Sequence, residues 1–260
     1  MTAQPPLPTL VATDESESAR TAIRIAAALA ACGRITPEVI VVDSARTVGT
    51  DRREAVAATL RGDGAGDWPV RLRSGDPAER IIEDATTGQF ALIMLGLRED
   101  AALERALHRE TTIKVTRNSP APVFGVAHWL HHLPRRILVA LDFSQTSERA
   151  ATLACRLLGD GGTLTLVLTD PPREDPPLAW ARAFGSGTPE EIPALINRLP
   201  LPPGAQVDTL PLADSPATDL LDLVDLMSAD VLAVPRETRI ADDVIRDARC
   251  SMLIVPASRP

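Results

Sequence analysis

The chain is organised around the stretch Arg136-Ile137-Leu138-Val139-Ala140-Leu141-Asp142-Phe143-Ser144. Its branched apolar residues form a short continuous run, which is typical of a strand buried on both faces. An aspartate closes the run, and the last serine is placed to cap a helix that we expect to extend to about Leu158. On this helix Glu148, Arg149 and Arg156 are predicted to face away from the apolar side. The stretch therefore predicts a buried strand followed by a helix with one buried face.

The same unit occurs near the start of the chain. Residues 9–16 read Thr-Leu-Val-Ala-Thr-Asp-Glu-Ser, and residues 19–29 correspond to the helix that follows. The chain is therefore two copies of one design, and its function depends on what each copy has kept.

The composition limits the location and partners of the protein. A length of 260 residues is enough for two domains with their own cores. The net charge of -8 and the acidic pI of about 5.1 argue against nucleic acid, because phosphate contacts need clustered Lys and Arg. Without a long apolar span or a signal peptide, we expect no membrane segment and a cytoplasmic location. Cys32, Cys155 and Cys250 form no CxxC pair and are predicted to be buried small hydrophobes.

Strands and helices alternate along both halves, which indicates parallel sheets with helices on both faces. We predict the α/β class with two Rossmann-like domains, each a five-stranded parallel sheet flanked by helices. The domains are expected at residues 1–127 and 135–260, joined by a linker at 128–134. Strands are predicted at 9–13, 39–42, 70–73, 91–96, 122–126, 136–141, 164–169, 207–210, 229–234 and 252–255.

A similar terminal segment completes the pattern in each half. Residues 115–123 read Val-Thr-Arg-Asn-Ser-Pro-Ala-Pro-Val, and residues 244–252 read Val-Ile-Arg-Asp-Ala-Arg-Cys-Ser-Met. Together with the strand that ends in aspartate, these segments resemble the universal stress protein family and its pattern V-x-R-x-(A/S)-x-x-P-V-x-x-V. The resemblance covers nearly the whole chain as a tandem pair. It implies adenine nucleotide alpha hydrolase-like domains that pair through their last strands as an internal pseudo-dimer, with a homodimer also possible.

Many members of that family bind ATP through a glycine pattern after the fourth strand. Glycines allow the backbone to wrap closely around phosphates. In the first half the pattern falls on Gly96, Glu99, Arg109 and Glu110, and only the first glycine matches. A carboxylate about 4 Å from a phosphate costs up to a few kcal/mol at an intermediate dielectric. We therefore expect ATP binding to be lost.

Glu110 precedes a helix predicted at 111–117. Our hypothesis is that its carboxylate is a built-in anion that satisfies the helix N-terminus in place of ATP. In the second half the equivalent segment begins at Pro235 and leads almost at once into the last helix. That copy is predicted to lack the phosphate loop entirely.

The ends of the first two strands in each half are the remaining candidates for a nucleotide cleft. The resemblance places Asp14 and Asp142 beside a nucleoside, with Val42 and Leu168 near the ends of the second strands. The alternative is that each aspartate caps the first helix or fixes the turn before it. Both interpretations stay open, and the candidate binding residues are Asp14, Val42, Gly96 and Asp142.

No nucleophile set of the Ser/His/Asp or Cys/His type is evident, so no catalytic residue is predicted. His128, His131 and His132 are close enough in sequence for a metal site, but we expect a solvated, flexible linker there. The sequence thus predicts a non-enzymatic stress-response adaptor or sensor that works through contacts with protein partners, without a cofactor. The alternative is a weak ATP-binding switch, or low-level ATPase, in the cleft of the first domain.

Overall fold

Each half of the chain folds as alternating strands and helices. The structure, a computed structural model, describes residues 4–43, 50–97, 104–169, 191–212, 216–238 and 240–257. The chain divides into two units, unit 1 (Met1–Leu133) and unit 2 (Pro134–Pro260).

The strands of unit 1 lie in the order β3-β2-β1-β4-β5, and all of their pairings are parallel. The point at which the strand order reverses therefore lies between β1 and β4. Its elements are β1 (Leu7–Thr13), α1 (Glu17–Ala31), β2 (Ile35–Asp43), α2 (Thr50–Gly62), β3 (Val70–Ser74), α3 (Pro77–Thr87), β4 (Leu92–Leu97), α4 (Glu104–Asn118) and β5 (Val123–Ala127).

Unit 2 repeats this arrangement in the order β8-β7-β6-β9-β10, again with parallel pairings. Its elements are β6 (Arg136–Leu141), α5 (Gln145–Leu157), β7 (Thr163–Leu168), α6 (Glu191–Arg198), β8 (Gln206–Pro211), α7 (Pro216–Leu226), β9 (Val231–Pro235), α8 (Ala241–Asp247) and β10 (Ser251–Val255). The predicted α/β class, with five parallel strands flanked by helices in each half, is confirmed.

The central strands of the two units are paired in the same register, so residues of one unit can be matched to residues of the other. Thr9 is paired with Leu92 in unit 1, and Ile137 is paired with Val231 in unit 2. Counting onward from these pairs makes Asp142 the counterpart of Asp14, and Pro235 the counterpart of Gly96.

Side chains at the predicted positions cap the helices. The Ser144 hydroxyl accepts from the Ser147 amide at 3.2 Å, and the Asp76 carboxylate accepts from the Glu79 amide at 3.0 Å. Each bond satisfies one of the amides that a helix N-terminus leaves without an intrahelical partner. Pro77 follows Asp76 in the first turn of α3, where a missing N–H costs nothing.

Helix α4 begins earlier than expected. The sequence predicted a helix at 111–117, but α4 starts at Glu104, so Glu110 lies in its second turn. The prediction that Glu110 stands at the helix N-terminus is wrong, and the hypothesis of a built-in anion at that terminus loses its basis. The reason is that residues 104–110 are mostly strong helix formers such as Glu, Arg, Ala and Leu.

Three other expectations are corrected by the structure. Arg149 does not face solvent but is half-buried, because its guanidinium donates to the Pro256 carbonyl at 3.2 Å. Cys32 is exposed, since it follows the last residue of α1 as the C-cap. Within the predicted flexible linker, Leu130 is 0% exposed and its amide donates to the Ala127 carbonyl, whereas His131 is exposed.

The other two cysteines are buried as predicted. Burial raises the pKa of the Cys155 thiol to about 12, and burial likewise raises the pKa of the Cys250 thiol to about 12. Both are protonated at neutral pH and therefore poor nucleophiles.

Candidate functional site

The structure brings three of the four candidate residues to one edge of the unit 1 sheet. Thr13 is paired with Val41, so Asp14 and Val42 follow at neighbouring strand ends. Gly96 lies near the carboxyl end of β4, on the other side of β1. In open α/β sheets, ligands bind at this edge where the strand order reverses. Asp142 occupies the equivalent edge of unit 2.

The Asp14 carboxylate fixes the turn between β1 and α1. Its Oδ1 accepts from the Ser16 amide at 3.0 Å, and the Ser16 hydroxyl in turn accepts from the Ala19 amide at 3.3 Å. Between them Glu15 adopts the left-handed region with φ of 63°, and its amide donates to the Thr13 hydroxyl. This geometry agrees with a role for Asp14 in the turn before α1. Asp14 accepts from the amide of Ser16, and Ser16 caps the helix.

The same construction occurs in unit 2. The Asp142 Oδ1 accepts from the Ser144 amide at 3.0 Å, and Phe143 is left-handed with φ of 59°. The turn in unit 2 has one further contact. The Asp142 amide donates to the Ser147 hydroxyl at 3.4 Å, and Ser147 is fully buried. The repeat of Asp, a left-handed residue and Ser is thus a structural device used twice.

The environment of Asp142 shifts its acidity. Partial burial by itself raises the pKa of the Asp142 carboxyl, but hydrogen bonds from Ser144 and Ser147 outweigh this and leave the pKa below its ordinary value of 3.8. Hydrogen bonds to the ionised form always act in this direction. Asp142 is therefore a carboxylate at neutral pH.

We expect a pH titration to show this shift. Because folding lowers the pKa of Asp142, its contribution to stability is present above 3.8 and is lost as the pH falls through the folded-state pKa. Carboxyl carbon NMR shifts against pH measure the midpoint directly, and the ordinary value of 3.8 serves as the reference. The Asp142→Asn variant should be less stable by about 1 kcal/mol at pH 7, since an amide replaces a charged acceptor. An Asp142 midpoint above 3.8 would contradict the prediction.

Val42 has a packing role in unit 1. It is partly buried against an apolar cluster that includes Ile40, Ile81 and Val115. The cluster fills the space between the sheet and helices α3 and α4. Packing therefore accounts for an apolar residue at this strand end.

Gly96 is required by a close approach of helix α1. A Cβ added at Gly96 would lie 2.6 Å from the Ala19 amide nitrogen and still closer to the Ser18 carbonyl group. These are backbone atoms of the first turn of α1, which cannot move without the helix. The φ of Gly96 is not in the left-handed region. The absence of a side chain, and not backbone freedom, is what this position needs.

The segment expected to contact phosphates is only partly described. Glu99 lies outside the described residues, and Arg109 and Glu110 are described only as backbone of α4. In unit 2 the equivalent turn is short and closed. The Thr238 hydroxyl donates to the Pro235 carbonyl at 2.7 Å, and the Arg236 amide donates to the Val255 carbonyl at 2.8 Å.

The turn in unit 2 is also tied to the segment after β10. The Ala257 amide donates to both oxygens of Glu237, at 3.0 and 3.1 Å. The same carboxylate pairs with the Arg236 guanidinium at 3.2 Å. The turn after β9 is therefore held by hydrogen bonds and an ion pair from its own unit.

Sequence reasoning missed two buried carboxylates. Asp63, with a nearly inaccessible side chain, accepts from Arg20 at 2.9 Å and from Arg24 at 3.1 Å and so ties α1 to the turn after α2. Asp230 accepts from the Arg135 and Arg136 amides at 2.7 and 2.9 Å. The residues that donate to each aspartate lie far away along the chain. No local sequence pattern therefore marks Asp63 or Asp230.

One further device is common to both units. The Thr21 hydroxyl on α1 donates to the His128 carbonyl, one residue beyond β5. Arg149 at the matching position of α5 donates to the Pro256 carbonyl, one residue beyond β10. In each unit the first helix thus fixes the chain where it leaves the last strand.

An open groove of about 410 Å³ lies elsewhere on unit 1, between β3 and α3. Its lining includes the ion pair of Arg73 with the buried Asp84, at 3.0 Å, and it contains none of the candidate residues. Within the described ranges, His, Cys, Asp and Glu side chains form no group of three suited to a metal ion. No helix in the described part of the chain is both long and apolar enough to cross a membrane.

Comparisons with known proteins identify the family. The model of the family described as the universal stress protein family matches residues 8–126 and again 134–256. A search of curated proteins gave no match.

Solved structures share the fold at low sequence identity. A universal stress protein from Archaeoglobus fulgidus DSM 4304 is 18% identical with a TM-score of 0.63, and 95% of each chain is covered. A protein named as a universal stress protein from Pseudomonas aeruginosa UCBPP-PA14 is 15% identical with a TM-score of 0.64, over 96% of this chain and 93% of that one. A protein of unknown function from Pseudomonas aeruginosa PAO1 is 14% identical with a TM-score of 0.61, over 96% and 92%.

Proposed function

The chain belongs to the universal stress protein family, with one copy of the family domain at 8–126 and a second at 134–256, and on that basis we propose that it is a non-enzymatic stress-response protein. It acts as an adaptor or sensor through protein contacts, and its ATP binding is lost. We infer domains at 1–127 and 135–260 that are joined at 128–134 and pair as a pseudo-dimer. We also infer a cytoplasmic location.

The observation that carries the proposal is the turn after β9. A phosphate cradle needs inward-facing amides and space for the ligand. Here the Arg236 amide is used by the Val255 carbonyl, and the Ala257 amide is used by the Glu237 carboxylate. The groups that an anion would need at this edge of unit 2 already have partners within the chain.

In unit 1 the candidate residues have roles that need no ligand. Asp14 braces the turn before α1, and Val42 packs in the apolar cluster. Gly96 makes room for the first turn of α1. These roles support the proposal, because the sequence features that pointed to a nucleotide have sufficient structural reasons.

A second candidate function is an ATP-binding switch in unit 1. It is favoured by one observation: Asp14 is exposed at the reversal point of the strand order, next to the end of β2, and Gly96 lies near the end of β4 on the other side of β1. That is the usual place for a ligand in an open α/β sheet.

Calorimetric titration of the full chain with Mg-ATP separates the two functions. We expect no saturable binding at concentrations up to about 1 mM, equivalent to a binding free energy weaker than about -4 kcal/mol. Micromolar binding by the wild type would contradict the proposal. If binding occurs, Asp14→Ala and Asp142→Ala serve as matched variants, since the two residues brace equivalent turns. Loss of binding in Asp14→Ala alone would establish the switch in unit 1.

A further inference from the structure

The peptide unit between Pro256 and Ala257 is held from both sides by charged groups. Arg149 donates to its carbonyl oxygen at 3.2 Å, and its amide donates to the Glu237 carboxylate at 3.0 Å. This peptide bond is trans, so its carbonyl and its N–H point in opposite directions. Arg149 therefore fixes the direction in which the Ala257 amide points.

The Glu237 carboxylate has the surroundings of a bound anion. It accepts from one backbone amide through both oxygens and pairs with the Arg236 guanidinium at 3.2 Å. Amides and guanidinium groups are the donors that proteins use for phosphate and other oxyanions. The backbone of Arg236 is held in place by the sheet, because its amide continues the pairing of β9 with β10.

The arrangement is accessible from solvent. The Glu237 side chain is 46% exposed and the Arg236 side chain is 25% exposed. A carboxylate attached to the same chain acts at a high effective concentration, so a free anion competes with it poorly. A free anion would also be repelled by the charge of Glu237 at close range.

We propose that the Ala257 amide and the Arg236 guanidinium form a latent anion site that the chain fills with its own Glu237 carboxylate. The external ligand that fits these donors is a small oxyanion of the phosphate type. Arg149 is a positioning residue, which orients the amide without touching the anion. The inference deepens the proposed function, on which it rests, by naming the group that takes the place of a phosphate in unit 2.

The test is to remove the internal anion and titrate with inorganic phosphate. We expect Glu237→Ala to bind phosphate about tenfold or more tightly than the wild type, since charged hydrogen bonds become available to the ligand. The Ala257 amide resonance in proton–nitrogen NMR spectra should shift with saturation. Asp222→Ala is the matched control. It removes one negative charge from an exposed position of unit 2 that lies outside the turn of Arg236 and Glu237.

Two outcomes would overturn the inference. One is that Glu237→Ala binds phosphate no better than Asp222→Ala. The other is that the gain persists in the double variant Glu237→Ala/Arg236→Gln, which would indicate an adventitious ion only. Glu237→Gln keeps the size of the side chain and serves as the folded variant if the alanine variant is unstable.

The result is independent of the ATP titration. Mg-ATP binding by the wild type through Asp14 contradicts the proposed function and leaves the latent site in unit 2 intact. A failure to gain phosphate binding overturns the latent site alone.

Discussion

Replacing Gly96 with alanine is expected to lower the free energy of unfolding of unit 1 by about 3 kcal/mol, near the upper end of the usual cost of overpacking. The new Cβ would overlap the Ser18 carbonyl group and lie 2.6 Å from the Ala19 amide nitrogen. These atoms belong to the first turn of α1, which packs on the sheet through residues such as Ala22 and Ile23. Relief of the overlap requires the helix to move away from β4, which exposes part of this contact.

Chemical denaturation measures the loss, and hydrogen exchange with mass spectrometry assigns it to unit 1. Gly62→Ala is the matched control, because a Cβ added at the end of α2 meets no atom within 4 Å. That variant should change stability by less than about 1 kcal/mol and in the stabilising direction. Wild-type stability in Gly96→Ala would show that packing does not explain this glycine, and a ligand role would then regain support.

Replacing Asp230 with alanine is the second substitution for which we expect a large effect, a loss of about 3 kcal/mol in unit 2. Asp230 is 6% exposed, and one of its carboxylate oxygens accepts from both the Arg135 and Arg136 amides. The substitution leaves two backbone donors without an acceptor at the start of β6. A hydrogen bond to a charged acceptor contributes roughly 1.5–3 kcal/mol, so the loss of both bonds accounts for the size of the effect.

The measurement is a denaturation curve followed by amide exchange at Arg135 and Arg136. Asp222→Ala, at an exposed position of the same unit, should stay within about 0.5 kcal/mol of the wild type. Asp230→Asn retains one acceptor oxygen, so its stability should lie between the stabilities of Asp230→Ala and Asp222→Ala. Equal stability of Asp230→Ala and Asp222→Ala would show that the amides find other partners.

The two predictions bear on function as well as on stability. Gly96 looks like the remnant of a phosphate loop in the sequence, whereas the position of α1 gives it a packing role. The built-in anion was expected at Glu110, whereas the carboxylate that is bound by an amide and a guanidinium is Glu237. The internal anion that we propose therefore lies in the second unit and not in the first.

The sequence by itself determined the elements and their order. Buried strands, helices with one apolar face, and the caps Ser144 and Asp76 depend on neighbours within a few residues, so periodicity and residue type were sufficient to predict them. The glycine pattern is no guide to the start of α4, which begins at Glu104 because residues 104–110 are mostly strong helix formers.

Only the tertiary structure decided which side chains meet. Arg149 reaches a carbonyl 107 residues away, Asp230 binds an amide 95 residues away, and Glu237 binds an amide 20 residues away. No period or spacing in the sequence encodes such pairs, because they follow from how the helices cross the sheet. The space beside Gly96 and the partners of Glu237 are properties of that packing, and the assignment of function to each strand end depends on them.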